Sequence, residues 1–313
     1  MVYTTMLRER VGGGNYCQHR QQTILILPLK IFLIIRSHCM FEVDLIVFVL
    51  AILVVLGSAV VAGLAAGLFG IGGGIILVPG LTDMMMLLGV PVEEAIRTAV
   101  GTSLATVVVT SVRSAHAHYK KGSFSWQVAR DWAPFIIIGA LCGTALGSQG
   151  SRELFRFLFL FLGPIIAFNM AFGRKDWSGV HIPLRRYLQP LSGSLVGFFS
   201  VMMGLGVGGL GVPTITLFGV ELRRAIGTAA VLGLCTSIPG VCGFMYSGIV
   251  HEAQIAGPAT GYISWLGFAL IVPVTLWLAP LGVKLNHLMS LDLLRRAFAV
   301  LTIVNVIRLG LTI

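Results

Sequence analysis

The chain has 313 residues, of which 56% are hydrophobic and only 11% are charged, and its mean hydropathy is +0.93. Soluble domains carry about 25% charged residues, so the composition excludes an ordinary soluble protein. The net charge of +10 does not indicate nucleic-acid binding, because the basic residues lie in short stretches between long apolar runs. The composition therefore predicts an all-α, polytopic integral membrane protein.

Residues 1–39 precede the first long apolar run and carry five basic residues. They do not resemble a signal peptide, because Pro28 and Lys30 interrupt the apolar stretch and no small-residue cleavage site follows. Met40 begins a short acidic stretch that suits an outward-facing N-terminus. We therefore expect residues 1–39 to be a doubtful extension and Met40 to be the start of the protein.

Ten apolar segments follow, each a candidate helix or half-helix. The seventh, over 212–220, covers only roughly 14 Å of a hydrocarbon core about 30 Å thick, which predicts a half-helix paired with the segment before it. The ten segments are 44–66, 75–90, 95–118, 126–146, 154–172, 188–203, 212–220, 225–245, 256–281 and 291–311.

Two glycine-rich stretches interrupt these apolar segments. The first runs from Gly67 to Pro79 and the second from Gly204 to Pro213, and neither contains a charge. Clustered glycines break helices, and broken backbone in a membrane is tolerated only where protein buries it or where it lines a wet cavity. Broken helices at matching points of two halves are typical of transporter substrate sites.

The two halves also correspond outside the glycine stretches. Gly89-Val90 matches Gly219-Val220 at an offset of 130 residues, and Ala95–Ala99 matches Ala225–Ala229 at the same offset. This predicts a first membrane repeat over 40–172, a basic cytoplasmic linker over 173–187 and a second repeat over 188–313, each with about five hydrophobic segments and one glycine-rich break.

The charges of the loops indicate how the repeats are oriented. Lys120 and Lys121 follow the third segment, whereas the equivalent loop after the eighth has no lysine or arginine. The loop before the third segment holds two glutamates, and its equivalent holds Arg223 and Arg224. Opposite charge in equivalent loops predicts two inverted repeats, with the linker in the cytoplasm. Arginines at the start of the fifth segment fit this orientation less well.

Taken together, these motifs resemble the TauE/SafE family of membrane proteins, the group named for sulfite export. The resemblance covers about residues 44–312 and implies a multi-pass inner-membrane permease for small anions such as sulfite, sulfonates or related sulfur compounds. The chain departs from the family pattern in two places: Gly206–Gly211 lacks the three consecutive glycines that the family more often has, and Asp83 is acidic where an apolar residue is expected. Both departures leave the substrate and the coupling ion open. The matching stretches are Gly70–Pro79, Ala99–Leu104, His118–Gly122, Ala225–Ala230, Gly261–Ser264, Ala279–Lys284 and Leu294–Phe298.

Candidate substrate contacts lie at the breaks and just after them. Consecutive glycines before a helix present backbone N–H groups at its positive end, which suits an anion. Helix packing is the alternative role for the glycines, and bonding within their own helix is the alternative for the hydroxyls. The predicted substrate-binding residues are Gly72, Gly73, Gly74, Pro79, Thr102, Ser103, Gly206, Gly208, Gly209, Pro213 and Thr228.

Other polar residues have less direct interpretations. Asp83 is either a coupling group or a residue near a helix end in contact with water, and Arg97 either attracts anions or anchors its helix at the interface. Thr228 aligns by offset with Thr98 rather than with Thr102. The small residues of Gly139–Gly147 predict a packing face. His116 and His118 are expected at a solvated cytoplasmic edge.

The predicted function is secondary transport, most simply the export of small anions. We expect no enzyme activity, because the chain has no GxSxG or HExxH motif, and no Walker A motif for ATP hydrolysis. The alternatives are a permease of the same fold for another organic acid, an importer and, further away, an intramembrane enzyme or receptor subunit. We expect no cofactor, metal or nucleic acid, and as partners a small anion and the bilayer, with a homodimer left open.

Overall fold

The computed structural model describes residues 46–68, 73–172, 185–253, 255, 257–288, 300 and 303–304. The chain divides into two units, Met1–Phe48 and Val49–Ile313, and the fold described below is that of the second. The doubtful extension over 1–39, the expected start at Met40 and most of the linker and of the tenth segment lie outside the described residues.

Helices make up the regular structure of the described residues, which agrees with the all-α prediction. Five of them are long and apolar enough to cross a membrane: those over 46–68, 92–120, 126–147, 222–250 and 265–285. The helices are α1 (Ile46–Leu68), α2 (Gly74–Leu87), α3 (Val92–Lys120), α4 (Trp126–Gly147), α5 (Arg152–Phe172), α6 (Arg185–Met202), α7 (Gly208–Leu217), α8 (Leu222–Val250) and α9 (Trp265–Leu288).

The two short helices, α2 and α7, follow the glycine-rich stretches as predicted. Each carries its proline, Pro79 or Pro213, as the sixth residue, so the break lies at the glycines and not at the proline. Each is followed by a glycine with a left-handed backbone, Gly89 (φ 83°) or Gly219 (φ 85°), which ends the helix. The Gly-Val matches of the sequence are therefore equivalent helix ends.

One predicted boundary was wrong. The ninth segment was expected from residue 256, but α9 begins at Trp265. Gly257 and Gly261 both adopt positive φ, and Ala259 pairs with Ser264 in an isolated bridge. These residues form a turn of apolar composition, which hydropathy alone does not separate from the helix.

The longest helices, α3 and α8, have 29 residues each and cross one another in opposite directions. Successive contacts further along α3 involve residues earlier in α8, so the two helices are antiparallel. At three of the four contacts a glycine of α8 lies against a side chain of α3. The contacting pairs are Gly101–Phe244, Leu104–Gly240, Ser111–Gly233 and His118–Gly227.

The first helix of each half packs in parallel along the fourth helix of the other half. Gly139 and Gly143 of α4 lie against the backbone of Ser194 and Phe198 of α6, which confirms the predicted packing face. In the other pair, Gly67 of α1 contacts the backbone of α9 in the same way. The two halves are thus interlocked by equivalent helix pairs.

Burial explains where the breaks lie. All but three residues of α2 are buried, so this helix is enclosed by protein. The turn over 203–207, between α6 and α7, is buried throughout. Irregular backbone is tolerated at membrane depth only where protein buries it or where it lines a wet cavity, and protein surrounds the turn over 203–207.

Candidate substrate site

The two glycine-rich breaks touch one another. Gly74, the first residue of α2, lies against the carbonyl group of Gly204, and any side chain at Gly74 would collide with that carbonyl. Gly204 has a left-handed backbone (φ 65°) and is flanked by Val78 of α2 and Val100 of α3. The described part of the chain therefore brings together the two glycine-rich stretches that the repeat predicted to be equivalent.

A hydroxyl group of α3 completes this contact. The side chain of Ser103 is fully buried and its Oγ donates a hydrogen bond of 2.9 Å to the Gly204 carbonyl oxygen. That oxygen also lies against Gly74, the first residue of α2, on the side where a side chain would project. The Gly204 carbonyl thus joins the second break to α3 by a hydrogen bond and to α2 by close packing.

The other predicted glycines and prolines surround the contact unevenly. Gly73 has φ 78° and caps α2, and its carbonyl accepts from the N–H groups of Ile76 and Leu77. Gly208 and Gly209 begin α7 and are buried, as is Gly206 in the preceding turn. Pro79 is buried within α2, Pro213 is half-buried within α7, and Gly72 lies outside the described residues.

The hydroxyls of Thr102 and Thr228 make a different, repeated contact. Thr102 Oγ1 accepts from the N–H of Ser264, just before α9, and Thr228 Oγ1 accepts from the N–H of Ser125, just before α4. In both cases the glycine before the threonine lies against the preceding loop, at Tyr262 and at Ser123. We call this arrangement the Gly-Thr clasp.

The clasp changes the expected equivalence of the threonines. The offset of 130 residues pairs Thr228 with Thr98, but the contacts pair it with Thr102, one helical turn further along. Both threonines hold the start of a helix of the other half. Their predicted role as substrate contacts stays a prediction, and their observed contacts join α3 to the start of α9 and α8 to the start of α4.

Sequence reasoning missed a run of buried polar residues on α3. Four of the five steps along the run are three or four residues, which places its members along one side of the helix and is the signal that identifies such a run. Thr106 and Thr110 bond to backbone carbonyls of their own helix, which satisfies their hydroxyls. The run consists of Ser103, Thr106, Thr110, Ser111, Ser114 and His118.

The expected exposure of His118 was wrong. Its side chain is only 2% exposed and Nδ1 lies 3.1 Å from Ser123 Oγ, which itself donates to the His118 carbonyl. The loop after α3 folds back over this end of the helix and covers the imidazole. His116, on the other side of α3, is exposed as expected.

Two charged residues lie near the site region. Arg97 donates to the Gly150 carbonyl at 3.0 Å and to the Tyr262 hydroxyl at 3.2 Å, and its guanidinium lies 5.8 Å from the centre of the Tyr262 ring. It therefore anchors α3 to two loops. Asp83 is half-buried on α2, four residues beyond Pro79, and its coupling role stays a prediction.

Comparison with known proteins agrees with this architecture. The family model described as "Sulfite exporter TauE/SafE" matches residues 55–309. A probable membrane transporter protein of Haemophilus influenzae is 32% identical over 265 residues, covering 83% of this chain and 98% of that protein. One of Methanocaldococcus jannaschii is 28% identical over 250 residues, covering 77% and 88%. No solved structure gives a significant match.

The apolar spanning helices, the paired breaks and these relatives define a multi-pass membrane transporter, and not an enzyme. The inner membrane is the location consistent with a bacterial transporter of this kind. The chain belongs to the TauE/SafE family.

Proposed function

We propose that this permease exports small anions, with sulfite, sulfonates or related sulfur compounds as the cargo, and that the anion passes between the two glycine breaks. The observation that carries the proposal is the hydrogen bond from Ser103 to the Gly204 carbonyl at the start of α2. The description of the matching family, which names sulfite export, supports the choice of cargo.

The contact between the breaks suits a site that opens and closes. In the closed arrangement, the Gly204 carbonyl oxygen accepts from Ser103 and lies beside Gly74, the first residue of α2. An anion entering between the breaks replaces this carbonyl as the acceptor, so the Ser103 hydroxyl stays paired in both arrangements. Binding to a hydroxyl and to backbone N–H groups, without a buried cation, also permits release.

The proposed route uses two inverted repeats. The equivalent helices α3 and α8 run in opposite directions where they touch, which supports opposite orientation of the halves. The contact between Gly227 and Ser123 places the lysine-bearing loop after α3 at the same end as Arg223 and Arg224. The clustering of these basic residues supports the cytoplasmic assignment of that end.

Export of an anion from a cell with a negative interior needs no further energy source. The membrane potential contributes about 2.3 kcal/mol per charge for each 100 mV, in the outward direction for an anion. Secondary transport of sulfite down this gradient fits a sequence that has no Walker A motif for ATP hydrolysis.

An anion panel tests the cargo. Proteoliposomes with the purified protein would be loaded with sulfite, sulfate, a sulfonate or a carboxylate of similar size, and efflux measured at a fixed inside-negative potential. We expect saturable efflux of sulfite or the sulfonate well above that of empty liposomes. Efflux of the carboxylate alone would contradict the sulfur cargo and favour an organic-acid permease of the same fold. Repeating the measurement with the membrane potential reversed would distinguish a protein that exports the anion from one that takes it up.

A further inference from the structure

A surface groove of about 600 Å³ lies between α3 and α9, about 15 Å along α3 from Ser103. It belongs to neither the glycine breaks nor the Gly-Thr clasp. Most of its wall is apolar, and two basic side chains from different helices complete it. The lining residues are Arg113, Leu276, Trp277, Pro280, Leu281 and Lys284.

The α9 side of the groove changes from apolar to basic along the helix. Trp277 is 82% exposed and Leu281 is 46% exposed, so the apolar surface is open in the described chain. Lys284 follows three residues after Leu281, on the same side of α9. An exposed apolar stripe that ends at a cation is complementary to a phospholipid, whose acyl chains would lie along the stripe and whose phosphate would lie at the lysine.

The charge of the groove is unbalanced. Arg113 and Lys284 are both exposed, the residues lining the groove include no carboxylate, and neither cation makes an ion pair with another described residue. Uncompensated cations on a lipid-facing surface are unfavourable unless they reach the interface or meet an anion.

The depth of the two cations fits the headgroup region. Arg113 lies seven residues, roughly 10 Å, before the end of α3, and Lys284 lies four residues, roughly 6 Å, before the end of α9. Long basic side chains extend towards the interface from such positions. Both lie towards the end of the molecule that carries Lys120 and Lys121, where anionic lipids of the cytoplasmic leaflet are available.

We propose that this groove binds one anionic phospholipid, with the phosphate between Arg113 and Lys284 and the acyl chains along Trp277 and Leu281. The site is separate from the proposed substrate path, so its occupancy stabilises the packing of α9 on α3 without supplying the cargo.

Trp277 gives a direct readout of occupancy. Its fluorescence, isolated as the difference between the wild type and Trp277→Phe, would be measured in bilayers in which either phosphatidylglycerol or phosphatidylcholine carries brominated chains. We expect brominated phosphatidylglycerol to quench Trp277 with an apparent affinity about tenfold higher, since each basic residue near an anionic surface favours binding several-fold. The Arg113→Gln, Lys284→Gln double variant should lose this preference.

The matched control is Lys120→Gln, Lys121→Gln, which removes the same charge from exposed positions at the same end of α3. It should keep the preference for phosphatidylglycerol. Equal quenching by both lipids in the wild type would overturn the proposal, as would a preference that survives in Arg113→Gln, Lys284→Gln. Quenching by neither lipid would assign the groove to a protein contact between copies, and displacement of the anionic lipid by sulfite would assign it to the substrate.

Discussion

At the level of single residues, the structure depends on the absence of a side chain at Gly74. The Cα of this residue faces the Gly204 carbonyl so closely that even a methyl group has no room, and the obstruction is backbone, which cannot turn away as a side chain does. The same close approach lets Ser103 reach the carbonyl. The Gly204 carbonyl oxygen therefore both excludes a side chain at position 74 and accepts the hydrogen bond from Ser103.

We predict that Gly74→Ala destabilises the protein by about 2 kcal/mol, the usual cost of forcing extra atoms into a packed interior. Gly57→Ala is the control, because a methyl group there meets nothing within 4 Å in an exposed position on α1. Thermal unfolding in detergent, followed by size-exclusion chromatography, measures the difference. Equal melting temperatures for the two variants would contradict the close contact of the breaks.

The residue types at the breaks were predictable from the sequence, but their contacts were not. Glycine clusters and the charge-free surroundings identify Gly74 and Gly204 as parts of a break. The bond from Ser103 to Gly204 joins residues 101 positions apart in sequence, and its formation depends on how the two halves pack. Nothing local to Ser103 distinguishes it from Thr106, whose hydroxyl bonds its own helix.

At the level of elements, the Gly-Thr clasp explains how helices of one half are fixed by the other. Thr102 on α3 holds the start of α9, and Thr228 on α8 holds the start of α4. Each bond satisfies a backbone N–H group at a helix start, where no intrahelical acceptor exists. The long crossing helices therefore set the positions of two further membrane helices.

We predict that Thr102→Val and Thr228→Val each reduce stability by about 1 kcal/mol, the net value of a buried hydrogen bond. Amide hydrogen exchange should rise at Ser264 in the first variant and at Ser125 in the second. Thr275→Val provides the comparison, because the Thr275 hydroxyl bonds Ile271 within α9. Unchanged exchange at both serines would mean that the clasp does not hold these helix starts.

The lengths of the helices were largely predictable from the sequence, whereas the helices that each one contacts were not. The half-helix nature of α7 follows from its short apolar run, and α3 and α8 follow from matching sequence. The dipeptide Gly-Thr occurs at both positions of the clasp, 101–102 and 227–228, but also at 143–144, where the Thr144 hydroxyl bonds within its own helix. Alignment by a constant offset pairs Thr228 with Thr98 instead. A shift of one helical turn between the repeats hides the equivalence from sequence comparison.

At the level of the whole molecule, helix contacts place several basic residues of the two halves at the same end of the structure. The end that holds Ser123 and Gly227 also carries Lys120, Lys121 and the arginines before α8. The opposite end holds the loop after α4, where Ser148 accepts a hydrogen bond from Ser247 of α8. Charge patterning alone predicted opposite orientations, and the antiparallel crossing of α3 and α8 supplies an independent argument for them.

We predict that Lys121 and Glu252, in equivalent loops of the two halves, lie on opposite sides of the membrane. Single cysteines at these exposed positions would be placed in a chain from which the five native cysteines have been removed. A membrane-impermeant maleimide added to intact cells should label Glu252→Cys and not Lys121→Cys until the cells are opened. Labelling of both from one side would contradict the inverted arrangement.

The most direct test of the central claim, that the substrate anion passes between the glycine breaks, is the concentration dependence of anion efflux from proteoliposomes with Ser103→Ala. Using the anion that the wild type moves best, we predict an apparent KM about tenfold higher, because one hydrogen bond to the charged substrate is lost. Thr110→Val, two turns along α3 and bonded within its own helix, should match the wild type. A KM for Ser103→Ala equal to that of the wild type would contradict the claim.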